Sequence, residues 1–263
     1  MNRNYKFTVS LLLLSVVLIA VAGCSEGERV GELQTKSETI ELGSADSANV
    51  EINMGAGELE VSGGAADLLE ATFTYNVAEL NPSATFIGGN LLIEEEDVKG
   101  GLGTLLDLNE FRNEWDLRFG DDVPLEMNIQ LGAGRTNLSL GSLALASLDV
   151  DAGAGDVDLD LSGSQALTQF DFQMGAGDIT IDLTGDWQDD LDATVQGGLG
   201  EMTLKLPSEV GVRLEVNTGI GSVDTSGLSK NGNIYTNDAY DNSDVVLRLE
   251  IDGGVGQINL EVQ

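Results

Sequence analysis

Apolar and polar residues alternate along most of this chain in short runs that break at paired glycines. The pairs are Gly55/Gly57, Gly132/Gly134, Gly153/Gly155, Gly175/Gly177, Gly198/Gly200, Gly219/Gly221 and Gly254/Gly256. After a first gap of 77 residues they recur at spacings of 21, 22, 23, 21 and 35. A fixed period in the twenties is the mark of a stacked repeat architecture. Five and three residues before each first glycine the side chain is apolar, as in Val50/Ile52, Phe170/Phe172 and Leu249/Ile251. Two before it the side chain is Asn53, Gln130, Asp151, Gln173, Gln196, Asn217 or Asp252. Alternation of period two, apolar inward and polar outward, is that of a half-buried strand.

The pattern resumes beyond the glycines, with Leu59/Val61, Leu138/Leu140, Val157/Leu159/Leu161, Ile179/Ile181/Leu183, Met202/Leu204/Leu206 and Ile258/Leu260/Val262. Each repeat therefore reads as two short strands with a corner between them. Leu161-Ser162-Gly163, Leu183-Thr184-Gly185 and Leu206-Pro207-Ser208 mark the return turn, being rich in turn-forming residues. Coils of about 22 residues stacked in sequence order predict an all-β fold, a β-solenoid. Val150, Phe172, Val195 and Val216 are its expected inner ladder. No coil can bury its apolar face alone, so stability comes from neighbouring coils.

The glycines invite chemical readings that the spacing rejects. A phosphate-binding loop needs Gly-Lys-Ser/Thr, or a third glycine leading into a helix. The chain has no Gly-Lys, and each pair here leads into a strand. A calcium nonapeptide has a nine-residue period, and Asp156 is matched elsewhere by Arg135, Glu201, Ser222 or Gln257. The conformational reading is that the fourteen glycines are structural corners permitting positive φ and close stacking of backbones. The residue between them is always apolar (Ala56, Ala133, Ala154, Ala176, Leu199, Ile220, Val255) and is expected to point inward.

The remaining segments are less regular. Residues 38–124 hold the first glycine pair, then "EATFTYNV" as a strand and "TFIGGNLLIEEE" as a hairpin about Gly88-Gly89-Asn90. This N-terminal β region is expected to cap one end of the coils that run from 125 to 263. The stretch 99–114 is ambiguous. The long spacing near the C-terminus carries an insertion, "SGLSKNGNIYTNDAYDNSD", that reads as a loop.

The N-terminus gives an address. Arg3 and Lys6 precede an apolar run from Leu11 to Ala20, of signal-peptide length rather than membrane-spanning length. Val21-Ala22-Gly23-Cys24 resembles a bacterial lipobox, which implies that residues 1–23 are a leader and that Cys24 is the lipidated new N-terminus. Residues 24–37, with the polar, unpatterned "SEGERVGELQTKS", read as a flexible tether. The membrane would be reached through the Cys24 anchor, and Ser25, not Asp, at the next position favours the outer membrane in a Gram-negative envelope.

Charge and composition exclude several functions. The chain carries 12 basic and 45 acidic residues; without the leader, 10 basic against 45 acidic leave −35. Nucleic acid and anionic lipid are repelled, so no nucleic acid partner is expected. There is no histidine, so imidazole acid–base chemistry and a Ser-His-Asp triad are excluded. With the single cysteine lipidated, no disulfide and no thiolate metal cluster can form. No cofactor is implied.

Alignment of the coils gives three outward columns of acidic character: Asp156/Asp178/Glu201 with Arg135 one coil before; Asp158/Thr180/Thr203/Asp224; and Asp160/Asp182/Lys205. They read as a solvated face that resists edge aggregation. Cation binding and paired-carboxylate glycoside hydrolysis are the alternatives.

The chain resembles a known family. "LLEATFTYN", "NEWDLRFGDDVPLEMNIQLGAG" and "YTNDAYDNSDVVLRLEIDGGVGQINLEV" look like the toast-rack proteins of bacterial envelopes, over about residues 39–263. Residues 129–263 also resemble the β-solenoid of LiaF-like cell-wall-stress proteins and of adhesin head domains. The resemblance implies a toast-rack solenoid and supplies no catalytic residues. The expected function is a non-catalytic binding or envelope-stress-sensing lipoprotein, with a structural or adhesin-like surface protein as the alternative and a carbohydrate-active enzyme as the remote one. An envelope protein or cell-wall component is the expected partner. Oligomeric state is left open by the sequence.

Overall fold

A computed structural model describes residues 30–96 and 110–263 of the chain. The leader and Cys24 lie outside the described residues, as does 99–109 of the ambiguous stretch. No helix occurs among the described residues. Among the described residues fourteen strands form one hydrogen-bonded sheet.

Seven long strands carry the glycine pairs: β2 (Ala48–Ser62), β7 (Leu125–Ser139), β8 (Leu145–Asp160), β9 (Gln169–Asp182), β10 (Leu191–Leu206), β11 (Gly211–Ser226) and β14 (Val246–Val262). All pair in parallel, with glycine opposite glycine and column opposite column. Each is one strand bent at its glycines rather than two strands with a loop. The arm before the bend and the arm after it form two walls that share one core. Val150, Phe172 and Val195 are fully buried in the first wall, and Leu138, Leu159, Ile181 and Leu204 in the second. Return turns stack as well: Leu140, Leu161, Leu183 and Leu206 are fully buried, and each of the first three donates its amide to the carbonyl of Asp160, Asp182 or Lys205 on the next coil.

The coils do not stack in sequence order. β14 lies between β10 and β11. Leu249 and Ile251 therefore sit beside Ala193/Val195 on one side and Leu214/Val216 on the other. The chain leaves β10, steps over one empty rung to lay down β11, and returns to fill the gap. This explains the 35-residue spacing. Asn237 holds the detour in place: its side-chain oxygen accepts the Val212 amide at 2.9 Å and its amide nitrogen donates to Pro207 O and Val210 O.

The inserted residues are not a loop. They contain the hairpin β12 (Ser229–Asn231) and β13 (Ile234–Thr236), and β13 pairs antiparallel with Arg213–Glu215 of β11. Tyr235 is buried against the end of the core.

The N-terminal strands close the other end. β1 (Gln34–Ile40), β3 (Leu69–Tyr75) and β6 (Asn113–Phe119) extend the second wall beyond β2, and β5 (Asn90–Glu94) with β4 (Ser83–Ile87) extends the first. Between β4 and β5, Gly88 and Gly89 take φ of 60° and 87°, as a two-residue primed turn demands. Trp115 and Phe73 meet edge-on at 5.3 Å in this cap. β1 begins at Gln34, inside the stretch expected to be a tether. Gln34–Ser37 lack apolar alternation but pair residue for residue with Tyr75–Thr72, so cross-strand bonding, not burial, orders them.

Candidate functional site: a polar groove along the stack

The bend determines what lies outside. Regular alternation from Val50, Ile52 and Met54, all buried, would turn Ala56 inward. Instead each strand slips by one residue at its glycines, so Leu59 and Val61 face the core, while the residue between the glycines is exposed at Ala133, Ala154, Leu199, Ile220 and Val255 and half-buried at Ala56 and Ala176. Leu199, Val255 and Ile220 are 57%, 45% and 74% exposed. The expectation that these residues point inward is overturned, because the slip reverses the parity of the strand within one residue.

The two glycines of a pair meet different constraints. The second takes a left-handed φ at Gly57, Gly134, Gly155, Gly177, Gly200 and Gly256, between 133° and 153°. A β-carbon on Gly134, Gly155, Gly221 or Gly256 would lie 1.7 Å from a carbonyl oxygen of the neighbouring rung. The first glycine of the pair has no such φ, yet a β-carbon on Gly132 would stand 2.0 Å from Gly55 O, and one on Gly254 2.1 Å from Gly198 O. Gly153, Gly175, Gly198 and Gly219 face a neighbouring glycine carbonyl in the same way.

Beside the bend, on the outer side of the first wall, a groove of about 1570 Å³ runs along the stack. Its floor carries one polar side chain per rung: Asn53, Gln130, Asp151, Gln173, Gln196 and Asp252. Rungs are about 4.8 Å apart in such a sheet. The first glycines of the bend form one border. Leu80, Ser83 and Glu94–Glu96 close the end next to the cap. There Glu95 accepts the Gly55 amide at 2.9 Å and the Asn113 side-chain amide at 2.7 Å. Asn113 also donates to Ala56 O and accepts the Trp115 indole N–H. These two side chains take the place of a missing rung. Nothing in the sequence pattern singles out Glu95 or Asn113. The column two before the first glycine was legible as an outward polar row, but not as the floor of a groove.

The acidic columns lie elsewhere, on the outer face of the second wall. Asp156 and Asp178 are opposite one another and exposed, and Glu201 follows, its amide donating to Asp178 at 3.1 Å. Arg135 approaches Asp156 at 3.8 Å. In the second column Asn259 intervenes between Thr203 and Asp224, because β14 occupies that rung. In the third, Lys205 pairs with Asp182 at 3.3 Å. Burial pushes the Asp182 carboxyl up, but the Thr184 hydroxyl and amide together with Lys205 outweigh it and hold the carboxyl below its ordinary range. On the first wall, burial, then the charges of Asp151 and Asp171, push Asp149 up. Among the described residues no group of three or more acidic or sulfur ligands converges as a metal site. Both tryptophans are buried, so neither offers a stacking platform for a sugar.

Two bent walls of parallel strands around one core, with an open groove along the first wall, define an open-faced β-solenoid. The profile described as the N-terminal domain of toast_rack, DUF2154, matches residues 29–169 and 164–205. The chain belongs to the toast-rack family. Among solved structures it is similar to a "putative cell adhesion protein" from Clostridium sporogenes, at 27% identity and a TM-score of 0.68, over 88% of this chain and 100% of that one. A "putative adhesin" from Bacteroides fragilis aligns over 89% of this chain and 99% of its own at 10% identity and a TM-score of 0.34. No curated relative matches the chain.

Proposed function

We propose that this chain is a non-catalytic, adhesin-like binding module of the cell envelope, held at the membrane by a lipid on Cys24. The observation that carries this reading is the groove, with one amide or carboxylate on each of six successive rungs. Amides both donate and accept hydrogen bonds. Spaced at about 4.8 Å over a floor of roughly 24 Å, they suit an extended polymer laid along the stack better than a compact metabolite. The structure described as a "putative cell adhesion protein" shares 27% identity and is covered over its whole length, which favours adhesion over the stress-sensing alternative. In a Gram-negative envelope, Ser25 directly after Cys24 would favour an outer-membrane address.

The test compares attachment of producing cells to host-cell or cell-wall polymer surfaces. Deletion of the gene and the double variant Gln173→Ala/Gln196→Ala should both reduce attachment, while the purified variant keeps its melting temperature. Cys24→Ala should reduce it too, by releasing the chain from the membrane fraction. Attachment unchanged by deletion rules the adhesive reading out. Attachment lost on deletion but retained by the groove variant moves the site off the groove.

A further inference from the structure

The two ends of the stack are finished differently. At the N-terminal end the edges of β1 and β4 meet through charged side chains: Lys36 donates to Pro82 O at 2.8 Å, and Glu38 accepts the Ala84 amide at 2.9 Å while pairing with Lys36. Inward-pointing charges at an edge are a device against further strand pairing. At the C-terminal end the first arm of β11 is covered by β13. The second arm, Gly221–Ser226, pairs with β14 on one side and, among the described residues, with nothing on the other. It carries no lysine, arginine or proline, and its one charge is Asp224. Leading into this edge are the outward side chains Leu199, Val255 and Ile220, adjacent on consecutive rungs and all exposed. The three side chains form a contiguous apolar strip that ends at an open strand edge.

We propose that this edge is the contact between two copies of the chain, joined by antiparallel pairing of Gly221–Ser226 about a two-fold axis. A two-fold contact must be self-complementary, and this one is. With Val223 on the axis, Asp224 of each copy faces Ser222 of the other, so no like charges stand directly opposite. Ile220 faces Ser226 of the second copy, bringing both apolar strips to the rims of the joint. One strand and the Ile220 side chain at each rim make a contact at the small end of specific interfaces. Two bodies this acidic also repel one another. The pairing is therefore weak at low salt and strengthens as salt screens the charge.

The experiment is sedimentation equilibrium of the full-length chain in a density-matched mild detergent. Salt is raised from about 0.01 M to about 1 M, over which the Debye length falls from roughly 30 Å to roughly 3 Å. The expected result is a monomer–dimer equilibrium tightening by about tenfold or more across that range. Ile220→Asp should abolish it. Ile87→Asp, at an equally exposed residue in the opposite cap (73% exposed), should leave it unchanged. A chain that is monomeric up to 1 M salt overturns the proposal. So does a dimer that survives Ile220→Asp, or one that Ile87→Asp also removes. Cross-linking from the edge, in producing cells, to a different protein instead of a second copy overturns it as well.

Discussion

A β-carbon placed on Gly177 would lie 1.7 Å from the carbonyl oxygen of Gly155, one rung away, and the Gly177 backbone is held at a φ of 133°. Gly177→Ala must therefore displace backbone on two rungs as well as adopt a conformation closed to L-residues. We expect a loss of about 3 kcal/mol or more, in the range of backbone strain combined with core disruption. Asp178→Asn, at the exposed neighbour, should stay within about 0.5 kcal/mol. Gly232 offers the contrast: its φ is 67° but nothing lies within 4 Å of a β-carbon there, so Gly232→Asn should be nearly neutral. Chemical denaturation of the three variants checks the ranking, and equal losses at 177 and 178 would refute it.

Glu95 closes the exposed end of the same ladder by accepting the Gly55 and Asn113 N–H groups. Glu95→Gln keeps the shape but replaces an acceptor oxygen with a donor that faces another donor. Destabilisation of roughly 1–3 kcal/mol is expected, the range for unpaired or charge-assisted bonds. Amide exchange at Gly55 should accelerate selectively. Global exchange without that local change would show that Glu95 does not act as the end cap.

Much of this architecture was legible because parallel stacking repeats one pattern seven times. Ile52 through Ile251 mark the first wall at every copy, and Leu59 through Leu260 the second. The odd interval between Met54 and Leu59 already required one slip per strand. It did not say on which side the residue between the glycines would emerge, since Ala, Leu, Ile and Val look the same buried or exposed. Strand order was hidden for a related reason: β10, β11 and β14 carry interchangeable apolar columns, so only pairing reveals that β14 fills the rung between the others. Glu95 and Asn113 act once, at an end, and a pattern built on repetition carries no trace of them.

The Asp156/Asp178/Glu201 column distinguishes a solvated face from a cation site. Exposed carboxylates with Arg135 beside them gain from screening by any salt. Millimolar calcium should then raise the melting temperature no more than sodium chloride of equal ionic strength. A specific site would add a contribution growing with the logarithm of calcium concentration, lost in Asp156→Asn/Asp178→Asn/Glu201→Gln. Appearance of that contribution would convert the face into a metal-dependent binding surface.

Asp149 and Asp182 should respond to pH in opposite senses. Asp182 is held below its ordinary range, so in the unfolded chain it binds protons more readily than in the folded one. Its contribution is present above the unfolded value near 3.8 and is lost as pH falls toward the lower folded value. Asp149 is pushed up by burial and by Asp151 and Asp171, so folding favours its protonated form and its ionisation opposes folding above that range. Asp182→Asn should therefore lower the melting temperature at pH 7, and Asp149→Asn should raise it. The Asp149 difference should vanish as pH falls below about 3.8, whereas the Asp182 difference should persist to lower pH and vanish only below its lowered folded value. The effects will be small, since both side chains retain contact with water. Melting curves of the two variants from pH 2 to pH 7 measure them. Differences of the same sign at neutral pH, or differences that persist undiminished in acid, would show that packing rather than charge sets the contribution of these two residues.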